Sequence, residues 1–198
     1  IGISSSIPVN VEKEGRTTIP AKNFTDLLSN LGSQKITLVL DGETLRLSGE
    51  KIKASFQTIS PEDFPKLYEE KGEEFITIKK TQIEKYIIRV VFAAAQDSSR
   101  PALSGVLLDK EKNEALLVAT DGYRLSMQKN VFKTKEELGK PLVVPSRIIR
   151  ELISIKEDEE EVKVFISEKN NQVLFSQGDT VLVGRLINAE YPEYQKII

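Results

Sequence analysis

Acidic side chains near the middle of the chain are the first candidates for chemistry. Asp97, Glu114 and Asp121 could bind a divalent metal ion for phosphoryl transfer, or act as paired carboxylates in glycosyl chemistry. Ser104 and Ser126 would need a base to become nucleophiles, and the sequence contains no histidine. It also contains no cysteine, no P-loop and no dinucleotide-binding fingerprint. The enzyme hypothesis that remains is a metal-dependent phosphohydrolase or nuclease using Asp97 and Asp121.

The local sequence gives these acids a structural explanation. Three consecutive runs have the alternation and aliphatic content of strands, namely Ala102–Leu108, Ala115–Ala119 and Tyr123–Gln128. Asp121-Gly122 lies between the last two, and Asp-Gly in that position predicts a hairpin because glycine adopts positive φ. Asp97 follows a helical pattern and suits a loop. We therefore expect turn residues here and a chain without catalytic activity of its own.

Composition narrows the class of protein further. The 198 residues, 39% of them hydrophobic, are enough to bury one or two cores. The formal net charge is −2, so any DNA contact must come from lysines and arginines clustered on one face. No apolar run approaches the roughly 20 residues that span a bilayer. The lack of cysteine fits a reducing compartment, and we expect a cytoplasmic protein with no metal, no other cofactor and no membrane contact.

One sequence plan occurs twice in the chain. In each copy a short strand runs into a proline, Pro20 or Pro145, which suits the first turn of a helix because its missing N–H costs nothing there. An amphipathic helix and three strands follow. Each copy closes on an aromatic–proline pair, which is Phe64-Pro65 in the first and Tyr191-Pro192 in the second. Agreement of so many features in the same order indicates an internal repeat.

A related unit lies between the two copies. Glu74–Ile78 has the composition of a strand, and Thr81 with Glu84 forms a capping-box pattern that predicts Thr81 as the N-cap of a helix. The apolar residues of that helix recur at helical spacing, at Ile83, Ile87, Val90, Val91 and Ala94. The chain thus holds three strand–helix–three-strand units, at about 17–58, 74–128 and 141–187. This arrangement predicts an α+β fold.

The repeat also predicts the domain organisation. Residues 73–198 contain two units and are expected to form one complete domain, whereas residues 1–72 contain one unit, the second half of another domain. Ile1–Val11 occupies the place that Tyr123–Phe132 has in the complete domain. It is therefore expected to be the final strand of a unit that begins outside this chain, and we expect the chain to be a fragment.

Several segments carry a resemblance that covers essentially the whole chain. They read ATDGYRLS, SRPALSGVLL, VVPSR, NAEYPEY and RTTIPAKNF. Together they resemble the bacterial sliding clamp family, the beta subunits of the replicative DNA polymerase III. The resemblance implies a DNA-clamp fold with antiparallel sheets outside and helices lining the DNA-facing side. It implies three domains per protomer and a head-to-tail homodimeric ring, which this chain, without domain three and the start of domain one, is not expected to close.

The family function implied by this resemblance is that of a processivity factor. A sliding ring needs diffuse attraction to phosphates and no grip on bases. The cations expected to face duplex DNA lie opposite the apolar helix faces and are Lys22, Lys85, Arg89, Arg147 and Arg150. Acids concentrate elsewhere, at 157–161 and between residues 69 and 74. This separation would reconcile a sequence pI near 5.5 with threading of DNA.

The resemblance also implies a pocket for short peptides. In the family, the polymerase catalytic subunit, the clamp loader and repair polymerases insert a Gln/Leu/Phe-rich motif between domains two and three. The matching positions are Leu103, Thr120, Gly122, Tyr123, Arg124, Leu125, Pro192, Tyr194, Lys196 and Ile197. The family often has histidine where Tyr123 stands. The apolar members would form a socket, although ordinary strand core explains Leu103 and Leu125 equally well.

Overall fold

The computed structural model of the protein describes residues 1–97, 99–111, 114–129, 131–132 and 141–196. The chain is divided into two compact units. The larger unit consists of Ile1–Ile7 with Leu67–Ile198, and the smaller consists of Pro8–Lys66. In the described part of the chain, no helix is long and apolar enough to cross a membrane.

The described residues contain twelve strands and three α-helices. The helices are α1 (Ala21–Asn30), α2 (Lys80–Val90) and α3 (Ser146–Ser154). Short 3-10 turns lie at Pro61–Asp63, Val91–Ala93, Pro101–Ser104 and Tyr194–Lys196. In chain order the strands are β1 (Gly2–Ser5), β2 (Thr37–Asp41), β3 (Thr44–Ser48), β4 (Lys53–Gln57), β5 (Glu73–Lys79), β6 (Gly105–Glu111), β7 (Glu114–Thr120), β8 (Leu125–Gln128), β9 (Leu142–Pro145), β10 (Glu161–Ser167), β11 (Gln172–Gln177) and β12 (Thr180–Arg185).

The smaller unit is one helix beside a three-stranded antiparallel sheet. Its sheet has the order β2-β3-β4, and Leu45 and Leu47 of β3 are buried because alternate strand residues face the same side. Phe24 of α1 packs edge-on against Phe56 of β4, with ring centroids 5.4 Å apart. Thr18 forms an isolated bridge with Ile59, so the strand predicted before Pro20 is reduced to a single paired residue.

The larger unit contains two antiparallel sheets and two helices. One sheet has the order β1-β12-β11-β10-β5 and the other β8-β7-β6-β9. The core gathers the buried faces of α2 and α3 with residues from both sheets. Representative members are Ile83, Ile87, Val90, Val106, Ile148, Leu152, Val162 and Leu182. Each of the three helices is followed by three antiparallel strands, which confirms the α+β fold predicted from the repeat.

The starts of the helices differ from the sequence predictions. Helix α2 begins at Lys80, with Lys79 as N-cap and no side-chain cap, so the capping box at Thr81 is wrong. The physical reason is that β5 runs directly into the helix, and the Lys80 N–H donates to the Glu160 carbonyl at 2.7 Å. Pro20 and Pro145 also stand one residue before their helices, as N-caps with φ of −60° and −52°.

A turn replaces the beginning of the strand predicted over Ala102–Leu108. Pro101–Ser104 forms a 3-10 turn, closed by Leu103 N–H donating to the Arg100 carbonyl at 3.1 Å and by the Ser104 hydroxyl donating to the Pro101 carbonyl at 2.7 Å. Strand β6 therefore begins only at Gly105. A Cβ at that glycine would lie 2.5 Å from Val143 Cγ1, so the absence of a side chain allows β6 to approach β9.

The first strand of the chain pairs within the larger unit. Strand β1 forms an antiparallel ladder with β12, in which Gly2 faces Val183 and Ser5 faces Thr180. Residues 1–7, and likewise 67–72, therefore belong to the larger unit rather than to the smaller one. The strand character expected for the start of the chain is present, and its partner is a strand of the second sequence copy.

Candidate functional site

The loop between β7 and β8 is built on Asp121. Its Oδ1 accepts hydrogen bonds from the backbone N–H groups of Tyr123 and Arg124, both at 3.0 Å, and its Oδ2 pairs with Arg124 Nε at 3.0 Å. The backbone hydrogen bonds from Arg124 and Tyr123 lower the pKa of the Asp121 carboxyl. Gly122 has φ of +92°, which is the conformation that the Asp-Gly pattern predicted. Asp121 is thus a turn residue whose hydrogen bonds and ion pair with the described residues lie within its own loop.

Thr120 closes the same loop from the inside. This residue is buried at the end of β7, and its hydroxyl donates to the Arg124 carbonyl at 2.7 Å and accepts from the Gly122 N–H at 3.0 Å. The Asp121 N–H donates back to the Arg124 carbonyl at 3.4 Å. The hairpin tip is therefore held rigidly even though part of it faces solvent.

The outer side of this tip is aromatic and cationic. Tyr123 is 95% exposed, and the Arg124 guanidinium lies 5.7 Å from the ring centroid of Phe92, which is itself 52% exposed. Arg100 reaches the same place, because a Cβ at Gly122 would lie 3.0 Å from Arg100 Nη1. These residues form an exposed surface suited to a ligand with apolar and anionic or polar groups.

The end of the chain packs against the sheet that carries this hairpin. Tyr194 is buried in an apolar cluster, and its hydroxyl donates to Asp109 Oδ2 at 3.0 Å. The other buried members of the cluster are Leu107, Leu116, Val118 and Val143, with Leu125, Met127, Ile187 and Tyr191 packed against them. Two residues of the predicted pocket, Leu125 and Tyr194, therefore meet in one cluster. Nearby Pro192 and Lys196 are exposed, and Lys196 pairs with Glu193.

The remaining predicted pocket residues are distributed differently. Leu103 is buried in the 3-10 turn, where its carbonyl accepts from the Ala95 N–H at 2.8 Å, and it lies outside the described cluster that contains Leu125. Ile197 falls outside the described residues. The hairpin residues and the C-terminal residues thus lie at the same sheet. Of the described leucine and isoleucine residues predicted to form the apolar socket, Leu125 is the one that packs there.

Sequence reasoning missed three residues of this surface. Phe92 and Arg100 contact the hairpin tip as described above, and the Tyr191 hydroxyl donates to the Val118 carbonyl at 3.3 Å. Burial raises the pKa of the Tyr191 phenol to about 12, against a smaller opposing effect of a hydrogen bond with the Thr120 backbone. Two of these residues could have been found from the sequence, because Arg100 and Tyr191 each precede a proline inside a segment that carries the resemblance.

All five cations predicted to face DNA are exposed. Lys22 lies on α1 of the smaller unit, and the other four lie on α2 and α3, which contact one another in the larger unit. Two of these four cations also donate side-chain hydrogen bonds to neighbouring residues. Arg89 donates to Gln128 Oε1 at 3.5 Å, and Arg150 Nη2 donates to the Val91 carbonyl at 3.0 Å. Lys85 and Arg89 point away from the buried positions Ile83 and Ile87, as the helical spacing predicted.

The carboxylates considered for catalysis have local structural partners. Asp97 Oδ1 accepts from the Ser99 N–H at 2.8 Å and from the Ser99 hydroxyl, and these hydrogen bonds lower the pKa of the Asp97 carboxyl. Glu114 stands at the start of β7. Among the residues that the structure describes, no group of three histidine, cysteine, aspartate or glutamate side chains could hold a metal ion. Nothing in this geometry supports the metal-dependent alternative.

Comparison with known families decides the affiliation. The family model described as the DNA polymerase III beta subunit, central domain, matches residues 77–193. The model for the N-terminal domain of the same subunit matches residues 1–68. The chain belongs to the DNA polymerase III beta subunit family.

Individual members of the beta subunit family agree with this assignment. The beta sliding clamp of Staphylococcus aureus is 27% identical over 192 residues, which are 96% of this chain and 50% of that protein. The beta sliding clamp of Synechococcus elongatus is 28% identical over 207 residues, covering 100% of this chain and 54% of that protein. The chain therefore spans about half the length of the curated relatives it matches.

Solved structures of beta subunits share the fold. A sliding clamp from Bartonella birtlesii, solved bound to griselimycin, superposes with a TM-score of 0.90 at 23% identity, covering 99% of this chain and 54% of that one. The beta subunit from Thermotoga maritima gives a TM-score of 0.87 at 23% identity, covering 99% of this chain and 53% of that one. The DNA-clamp fold expected from the resemblance is confirmed.

Proposed function

We propose that this chain is part of a sliding clamp, a non-catalytic processivity factor that encircles duplex DNA and tethers a DNA polymerase. The observation that carries the proposal is the joining of the β7–β8 hairpin and the C-terminal segment on one sheet of the family's central domain. On this proposal, residues 73–198 are the complete second clamp domain and residues 1–72 belong to the first. The matched ranges 77–193 and 1–68 support that division by family domain, in which residues 1–7 and 67–72 of the first domain pack in the larger compact unit.

The proposed partners of the hairpin surface are short peptide motifs of the polymerase catalytic subunit, the clamp loader and repair polymerases. Leu125 and the rings around it supply apolar contact, whereas Arg124 and Arg100 supply hydrogen-bond donors at the rim. The hydrogen bonds that Thr120 and Asp121 form within the loop support this role. A site that is ordered before binding loses less conformational entropy when a peptide binds. The full set of residues proposed for the pocket is the one predicted from the sequence.

The proposed DNA-facing residues are Lys22, Lys85, Arg89, Arg147 and Arg150. Their exposure on helices supports diffuse contact with phosphates, which suits a protein that must slide. The whole protein would act in the cytoplasm as a head-to-tail homodimeric ring without a cofactor.

A peptide titration tests the proposed pocket. We would add a Gln-Leu-Ser-Leu-Phe peptide to the isotope-labelled chain and follow the backbone amide signals. We expect shifts at residues 120–125 and at the segment from Tyr191 to Lys196. The matched control is Gln-Ala-Ser-Ala-Ala, which keeps the length and the glutamine but removes the apolar anchors. Shifts centred on other strands, or equal shifts with the control peptide, would contradict the proposed pocket.

A further inference from the structure

Two phenol groups attach the C-terminal segment to the sheet that carries the β7–β8 hairpin. The Tyr191 hydroxyl donates to the Val118 carbonyl of β7 at 3.3 Å, and the Tyr194 hydroxyl donates to Asp109 Oδ2 of β6 at 3.0 Å. Both rings also pack on the cluster that Leu125 joins from β8. The segment between the two tyrosines contains Pro192, so one side of the proposed pocket is fixed directly to the other.

The internal repeat shows that these hydroxyls are not a requirement of the fold. Tyr191 and Tyr194 correspond to Phe64 and Leu67 at the end of the first copy, where neither side chain has a hydroxyl. Phe64 is 59% exposed, whereas Tyr191 is half-buried against the cluster described above. The second copy therefore has two tyrosine hydroxyl hydrogen bonds that the first copy lacks at the corresponding positions.

Tyr191 is connected to the hairpin tip through strand β7, which ends at Thr120. The Tyr191 hydroxyl donates to the carbonyl of Val118, which lies two residues before Thr120 on β7. The Thr120 hydroxyl in turn bonds the Gly122 N–H and the Arg124 carbonyl. Because burial raises the pKa of Tyr191 to about 12, the phenol stays protonated and remains a donor throughout the physiological pH range. Tyr191 is thus bonded to β7, and the Thr120 hydroxyl at the end of the same strand is bonded to the loop.

We propose that Tyr191 is a positioning residue for partner peptides, which holds the C-terminal segment and the hairpin tip at a fixed separation through Thr120. This inference rests on the proposed function, because it assigns Tyr191 to the same pocket. A peptide that contacts both Pro192 and Leu125 needs these two sides in register. Fixing them beforehand lowers the entropic cost of binding and slows dissociation.

The test is the Tyr191→Phe variant, which removes one hydroxyl and keeps the ring. We expect the dissociation constant for the Gln-Leu-Ser-Leu-Phe peptide, measured by amide titration of the chain, to rise about fivefold, the loss expected for one neutral hydrogen bond. Tyr68→Phe is the matched control, because Tyr68 is a partly buried tyrosine that packs on a different cluster, with Leu174, Val181 and Val183. Its peptide affinity should equal that of the unmodified chain.

A double-mutant cycle with Thr120→Val separates positioning from general stability. If Tyr191 acts through Thr120, the loss of affinity in the double variant will be close to that of the weaker-binding single variant, and not the product of both losses. Fully additive losses, or unchanged affinity in Tyr191→Phe, would overturn the role of Tyr191 while leaving the pocket intact. Failure of the whole protein to bind the peptide at the hairpin would overturn the proposed pocket and this inference together.

Discussion

Asp121 and its neighbours show how an acidic residue can be committed entirely to structure. Its two carboxylate oxygens bind two backbone N–H groups and one guanidinium of the same four-residue loop. These interactions favour the charged form, so the lowered pKa of Asp121 reflects hydrogen bonding rather than preparation for proton transfer. Asp97 has the same kind of environment beside Ser99. At the scale of single residues, Asp97 and Asp121 are therefore loop-forming acids.

Gly122 supplies the positive φ that this loop requires. Replacing it with alanine places a Cβ in a backbone with φ of +92° and 3.0 Å from Arg100 Nη1. We expect Gly122→Ala to lower the free energy of unfolding by about 1–2 kcal/mol. Urea unfolding monitored by the amide signals of β7 and β8 measures this change. Gly15→Ala is the control, since an added Cβ at Gly15 meets no atom within 4 Å, and equal stability of the two variants would contradict the expectation.

At the scale of elements, the fold depends on where helices and strands come closest. Helix α3 lies against β12, and the contact is made possible by Gly184 near the end of that strand. A Cβ at Gly184 would lie 1.8 Å from Ile148 Cδ1 and 2.8 Å from Ile148 Cγ1. Ile148 is almost fully buried in the main core of the larger unit. The glycine therefore sets the distance between the helix and the sheet.

This contact gives a prediction about packing between α3 and β12. We expect Gly184→Ala to lower the free energy of unfolding by about 1–3 kcal/mol, because the core must shift to accept an extra methyl group. Ile148→Val removes the Cδ1 atom that would clash most closely. Thermal and urea unfolding of both single variants and the double variant measure the coupling. The valine substitution should cost less in the Gly184→Ala background, and strictly additive losses would show that the two side chains do not compete for space.

At the scale of the whole molecule, the net charge is small, but positive and negative side chains are concentrated on different elements. The 28 lysines and arginines and 30 aspartates and glutamates nearly cancel. In the larger unit, however, α2 and α3 each carry two exposed cations and no exposed acid among the residues described, whereas the loop before β10 contains an exposed acidic run at 158–160. A protein with a small net negative charge can therefore present a local field that attracts phosphates.

Charge reversal on one helix tests the importance of this separation. We expect the Lys85→Glu/Arg89→Glu variant of the full-length protein to be retained less on circular duplex DNA, with the largest loss at low salt. The matched control reverses two exposed cations on sheet strands, Lys163 and Arg185. Gel filtration after loading onto nicked plasmid measures retention. Equal retention of the two variants would show that the cations of α2 do not contribute specifically.

Patterns along the chain determined the repeat, the three helices with the three strands that follow each of them, and the turn at Asp121-Gly122, because these depend on residue spacing and local backbone preference. The capping box at Thr81 misled, because pairing of β5 with β10 brought the Glu160 carbonyl to the Lys80 N–H and began the helix earlier. Tertiary structure alone decided that β1 pairs with β12 and that the Tyr191 hydroxyl bonds the Val118 carbonyl. These contacts join residues far apart in sequence, and their partners are chosen by how sheets and helices pack, which local patterns do not encode.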